Sequence, residues 1–78
     1  MKVKIKGVRI VRIKGDFIKL DSLLKFASVV STGGEAKFLI QNGEVSVGKT
    51  ICISRGRKIR PGETVRIKDD VILVKQEL

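Results

Sequence analysis

Residues 18–47 read Ile-Lys-Leu-Asp-Ser-Leu-Leu-Lys-Phe-Ala-Ser-Val-Val-Ser-Thr-Gly-Gly-Glu-Ala-Lys-Phe-Leu-Ile-Gln-Asn-Gly-Glu-Val-Ser-Val, and this stretch decides the fold. Leu20, Leu23, Leu24 and Ala27 recur at i, i+3, i+4 and i+7, the spacing of one apolar helical stripe. Asp21 and Ser22 stand near its start, where acceptors and negative charge suit the exposed N–H groups. The pattern predicts a helix over 20–29. A second stripe, Ala36, Leu39, Ile40 and Gly43, predicts a helix over 33–42. Thr32-Gly33-Gly34-Glu35 fits a capping box at its start, and Gly43 suits the left-handed residue that ends it. Val45 and Val47 then alternate with Glu44 and Ser46, which is strand periodicity.

Working outward from this block, Lys2-Val3-Lys4-Ile5-Lys6 alternates strictly, as a strand does. Residues 8–13 are β-branched but break the alternation, so Gly7 marks a turn or bulge. Gly48-Lys49 fits a two-residue hairpin turn with glycine first, and residues 50–54 return as a strand. Residues 55–60, Arg-Gly-Arg-Lys-Ile-Arg, form a basic loop. Turns are expected at Pro61-Gly62-Glu63 and at Lys68-Asp69-Asp70, with strands around Val65 and Ile67 and over 71–74. The expected class is α+β, with two short helices packed on a small, mostly antiparallel sheet. Phe26 and Phe38 are expected in the core, as is Cys52 between Ile51 and Ile53.

Seventy-eight residues make one domain. A chain of this size buries only about 60% of the surface its unfolded form exposes, so the core is small. Lys and Arg number 17 against 8 Asp and Glu, a net charge of +9, and a polyanion is the natural partner of such a surface. The chain lacks histidine, the commonest general base, and its carboxylates are scattered, so no catalytic dyad or triad forms and the reading is non-enzymatic. One cysteine without histidine gives no usual zinc site, and no cofactor is expected. No apolar stretch approaches the roughly 20 residues of a membrane span, and the lysine-interrupted N-terminus has no signal-peptide core. A cytoplasmic location is expected.

Residues 43–50, Gly-Glu-Val-Ser-Val-Gly-Lys-Thr, match the nucleotide-binding pattern G-x-x-x-x-G-K-[ST] letter for letter. The expected context is wrong. That loop needs a buried strand before it and a helix after it, whose N-terminus holds the phosphates. Here a helix precedes and β-branched Ile51 and Ile53 follow, so the match reads as a hairpin turn and no nucleotide is expected.

The block Lys19-Leu20-Asp21-Ser22-Leu23-Leu24, followed by Ala36, Ile40, Gly43, Val45 and Val47, resembles the S-four RNA-binding domain, the alpha-L motif named for a ribosomal small-subunit protein. Thr32-Gly33-Gly34-Glu35-Ala36-Lys37 and Arg55-Gly56-Arg57-Lys58 look most like small stand-alone bacterial proteins of the YaaA/YbcJ type. Three positions depart from the family pattern: Lys19 stands for its arginine, Gly34 for the arginine of the inter-helix turn, and Gly48-Lys49 for its Asn-Gly turn. The resemblance implies one RNA-binding domain over 1–78 with an alpha-L core at about 17–67. It further implies structured ribosomal or transfer RNA as partner, possible contact with ribosomal particles, and a role in ribosome assembly or translation. On it, the RNA face comprises Lys19, Thr32, Gly33, Gly34, Lys37, Gly48 and Lys49, extended by Arg55, Arg57, Lys58 and Arg60. Two alternatives stand beside it: a DNA-binding helix-turn-helix, whose second helix would offer mainly Lys37, Gln41 and Asn42 to bases, and an adaptor for an acidic protein. With the phenylalanines expected inside, recognition by shape and phosphate contact is favoured over base stacking.

Overall fold

The computed structural model describes residues 7–67 and 70–77. The elements run β1 (Val8–Ile13), β2 (Ile18–Lys19), α1 (Leu20–Phe26), α2 (Gly33–Gln41), β3 (Val45–Val47), β4 (Thr50–Ile51), β5 (Lys58–Ile59), β6 (Thr64–Ile67) and β7 (Asp70–Gln76). Five strands form one sheet in the order β1-β7-β6-β3-β4, and β2 and β5 form a separate ribbon. The α+β architecture is the one expected, two short helices on a mostly antiparallel sheet. One pair differs: β1 runs parallel to β7, from Val8 opposite Val71 to Ile13 opposite Gln76. Strand β7 therefore lies inside the sheet, where both its edges are bonded.

The two helical stripes face one core. Leu20, Leu23, Leu24, Ala36 and Ile40 are fully buried against Val45, Val65, Ile67, Ile72 and Val74. Strands β1, β3, β6 and β7 send alternate residues into this core, both residues of β4 are exposed, and the sheet's other face leaves Val8 and Ile10 exposed. Arg9 spans the two layers, its Nη1 donating to the carbonyl of Ala27 at 2.7 Å.

The second helix begins as its sequence dictates. Thr32 Oγ1 accepts from the N–H of Glu35 at 3.1 Å, and Glu35 Oε1 accepts in return from the N–H of Ser31 at 2.9 Å. It ends at Gly43, with φ +77°. The first helix is shorter than the 20–29 expected. It stops at Phe26 because Ser28 turns left-handed, with φ +63°. That conformation sends the N–H of Ser28 to Lys25 O and that of Val29 to Leu24 O, closing the helix.

Four further expectations change. Phe26 and Phe38 are not core residues; they are 65% and 63% exposed, because the helices turn Leu and Ala toward the sheet and leave the adjacent positions outside. Cys52 is half-buried, its thiol directed at the carbonyl of Ser54 at 3.6 Å, while Ile51 and Ile53 are exposed. The strand expected over 50–54 pairs only at Thr50–Ile51, after which Cys52 makes one more bond to Val45 O. The basic loop contains strand β5. The expected strand at residues 2–6 and the turn residues Lys68 and Asp69 lie outside the described residues.

Candidate nucleic-acid interface

The β2–β5 ribbon organises the basic residues. Ile18 stands opposite Ile59 and Lys19 opposite Lys58. Ile59 is fully buried and Ile18 half-buried, so the apolar pair faces the core and the lysine pair faces water. Residues directly opposite in an antiparallel pair have Cβ atoms about 4.5–5.5 Å apart. The two lysine side chains thus leave the ribbon from adjacent positions. Past the ribbon the chain stays strapped to α1: the N–H of Leu20 donates to Arg57 O at 2.9 Å, and that of Asp21 to Arg55 O at 3.1 Å. Asp21 Oδ1 accepts from the N–H of Ser22 at 2.7 Å. The first N–H groups of α1 are spent on holding the basic loop.

That loop carries Arg55, Arg57, Lys58 and Arg60, all exposed. Two residues outside the expected set shape it. Phe17 lies under Lys58, whose Nζ is 4.9 Å from the ring centroid. Glu63 closes the loop from the far side, its Oε2 accepting from Arg57 Nη2 at 2.9 Å and its Oε1 from the N–H of Arg60 at 2.7 Å. Arg57 is therefore paired, whereas Arg55 and Arg60 keep their guanidinium groups unengaged among the described residues. The signal for Phe17 was its place just ahead of Ile18-Lys19. Glu63 reads in sequence only as part of a turn.

The β3–β4 hairpin joins this group. Gly48 has φ +66°, as a glycine-first hairpin turn requires, and its N–H donates to Thr64 O at 2.7 Å. An open hollow of about 430 Å³ is lined by Val47, Gly48 and Thr50 on one side and by Arg57, Glu63 and Thr64 on the other. Lys49 follows Gly48, exposed at the tip. The Gly-Lys of the nucleotide pattern therefore forms a turn between two strands, and its Thr50 opens β4 rather than a helix.

The remaining expected residues, Thr32, Gly33, Gly34 and Lys37, sit on the first turns of α2. Among the described residues no hydrogen bond or ion pair ties them to the basic loop; the link is the packing of α1 against α2. The site is thus two patches on one frame. One is the ribbon, loop and hairpin with Lys19, Gly48, Lys49, Arg55, Arg57, Lys58 and Arg60. The other is the exposed side of α2. Both are open surfaces rather than clefts, suited to an extended charged chain.

The S4 domain family model matches residues 11–75, which takes in every element from within β1 to within β7. The chain belongs to the S4 domain family. A curated relative, the probable ribosome maturation protein RlbA of Bacillus subtilis (strain 168), is 36% identical over 58 residues, covering 74% of this chain and 82% of that protein. The matched region of this S4 domain includes both patches. No helix among the described residues is long and apolar enough to cross a membrane.

Proposed function

We propose that the chain is a single, non-catalytic RNA-binding domain over 1–78, with its working core at about 17–67, that grips structured RNA through phosphate contacts. The observation that carries this reading is the opposition of Lys19 and Lys58 on the β2–β5 ribbon. Like charges directly across a ribbon repel and cost stability. A phosphate bound between them offsets that repulsion, and Arg55 and Arg60 extend the positive track. Membership of the S4 family supports RNA as the polyanion. Similarity to a protein named for ribosome maturation supports ribosomal RNA or a ribosomal particle over transfer RNA, and a cytoplasmic place of work. Lys19, Thr32, Gly33, Gly34, Lys37, Gly48, Lys49, Arg55, Arg57, Lys58 and Arg60 form the proposed contact set.

The test is a titration of a folded ribosomal RNA fragment and of a random DNA duplex over a range of salt. RNA affinity falls with a log–log slope of roughly −0.7 to −0.9 per phosphate neutralised, and the duplex DNA binds more weakly. Alanine at Arg55, Arg57 and Lys58 together weakens RNA binding more than alanine at Lys2, Lys4 and Lys6, which removes the same charge. The straps from Leu20 and Asp21 use backbone carbonyls and survive the first variant. Equal losses from the two triple variants would reduce the interface to net charge alone.

A further inference from the structure

Phe38 is 63% exposed in the middle of α2, and Lys37 beside it is exposed too. Among the described residues neither side chain makes a hydrogen bond, ion pair or ring contact. A helical side chain leans over the turn N-terminal to its own Cα. For Phe38 that is the turn of Gly34, which has no side chain to lay against the ring. A Cβ placed at Gly34 would meet only Thr32 Oγ1, at 4.0 Å. Glu35, the acidic residue of this turn, is directed back to the N–H of Ser31 and forms the cap. The result is an exposed aromatic ring and, among the described residues, an unpaired lysine at successive positions, on the helix that carries Gly33, Gly34 and Lys37 of the proposed contact set and is capped by Thr32.

We propose that Phe38 is a base-stacking residue, taking one unpaired base of the bound RNA on its ring while Lys37 holds a neighbouring phosphate. An exposed ring with a lysine at the next position suits this ligand, because every base can stack and each nucleotide brings a negatively charged phosphate. The net charge of +9 favours a nucleotide over an apolar protein side chain as the occupant. The proposal rests on the RNA-binding reading and narrows it: the preferred ligand is a folded RNA with an unpaired base, not an unbroken duplex, whose bases are stacked out of reach.

The test uses an RNA hairpin with a fluorescent adenine analogue as a single bulged base, and the same hairpin with the bulge deleted. Phe38→Leu keeps apolar bulk and helix propensity but removes the π face; Phe38→Trp restores it. Phe26→Leu, at the far end of α1 from Lys19, controls for loss of any exposed phenylalanine. Phe38→Leu loses about tenfold in affinity for the bulged hairpin and nothing for the unbroken one. The wild type and Phe38→Trp quench the analogue, and Phe38→Leu does not. Phe26→Leu behaves as wild type, and circular dichroism shows all three variants folded. Loss on both hairpins alike, no loss, or an equal loss from Phe26→Leu overturns the stacking role while salt-dependent RNA binding stands. If the wild type binds neither hairpin in a salt-dependent way, the RNA reading fails and this inference with it.

Discussion

Ser28 ends α1 in the way Gly43 ends α2. Each follows its helix by two residues with positive φ, +63° and +77°. Each sends its own N–H back to the carbonyl three residues earlier, to Lys25 and Ile40. The residue after each closes the wider bond, from Val29 to Leu24 O and from Glu44 to Leu39 O. Both helices thus finish in the Schellman arrangement, where glycine is the favoured residue. At Ser28 the side chain is held where an L-residue is strained.

The pair gives opposite outcomes. Ser28→Gly relieves that strain and raises stability by about 1 kcal/mol, while Gly43→Ser lowers it by a similar amount. A Cβ at Gly43 would meet Ile51 Cγ2 at 3.8 Å, an ordinary contact, so the cost there is conformational rather than steric. Urea unfolding of both variants checks this; destabilisation by Ser28→Gly would sink it.

Thr32→Ala removes the acceptor for the N–H of Glu35. The expected cost is about 1 kcal/mol, the usual worth of an N-cap. Thr32→Ser should recover most of it. A thermal melt of the two variants is sufficient, and an alanine variant as stable as wild type would show the cap to be dispensable.

Lys58→Glu separates binding from folding. It replaces a like-charge pair opposite Lys19 with an attractive one and gives up the contact with Phe17. These terms oppose each other at about 0.5–1 kcal/mol each, so stability changes by less than about 0.5 kcal/mol. RNA affinity nevertheless falls, and the salt slope shrinks by roughly one phosphate's worth, 0.7–0.9. Fluorescence anisotropy at several salt concentrations reads both quantities. An unchanged slope would remove Lys58 from the interface.

Glu63→Gln frees Arg57. The amide oxygen still accepts from the N–H of Arg60, but the ion pair at 2.9 Å is lost. An exposed pair contributes at most about 1 kcal/mol, so the fold is kept. With Arg57 released and one negative charge removed, RNA binding tightens. Weaker binding in the same anisotropy titration would mean that the pair serves to position the loop.

Much of the helical half was legible from local spacing. The stripes name Leu20, Leu23, Leu24, Ala27, Ala36 and Ile40 as buried correctly, with Leu39 only half-buried, because 3.6-residue periodicity is a property of one segment. The cap at Thr32, the glycine at Gly43 and the turn at Gly48 were readable for the same reason: each depends on residues within four positions. The end of α1 was not readable, since a serine at position 28 carries no sign that it will turn left-handed.

In the candidate interface, the basic residues and their clustering were plain in the sequence, and their pairing was not. Nothing local shows that Glu63 folds back on Arg57 or that Phe17 underlies Lys58. Phe38 was legible, because helical spacing puts it on the side of α2 opposite Ala36 and Ile40; the expectation that it is buried followed its apolar character instead.

The sequence by itself determined the helices' inward faces, their caps and turns, and an excess of positive charge. It did so because backbone geometry and side-chain chemistry act over a few residues. The tertiary structure alone decided that β1 runs parallel to β7 across nearly the whole chain, and that β2 meets β5 so that Lys19 faces Lys58. Those pairings join residues 63 apart in the first case and 39 to 41 apart in the second. Strand registers at such separation are set by which apolar faces can share one core, and that is a property of the assembled layers rather than of any segment.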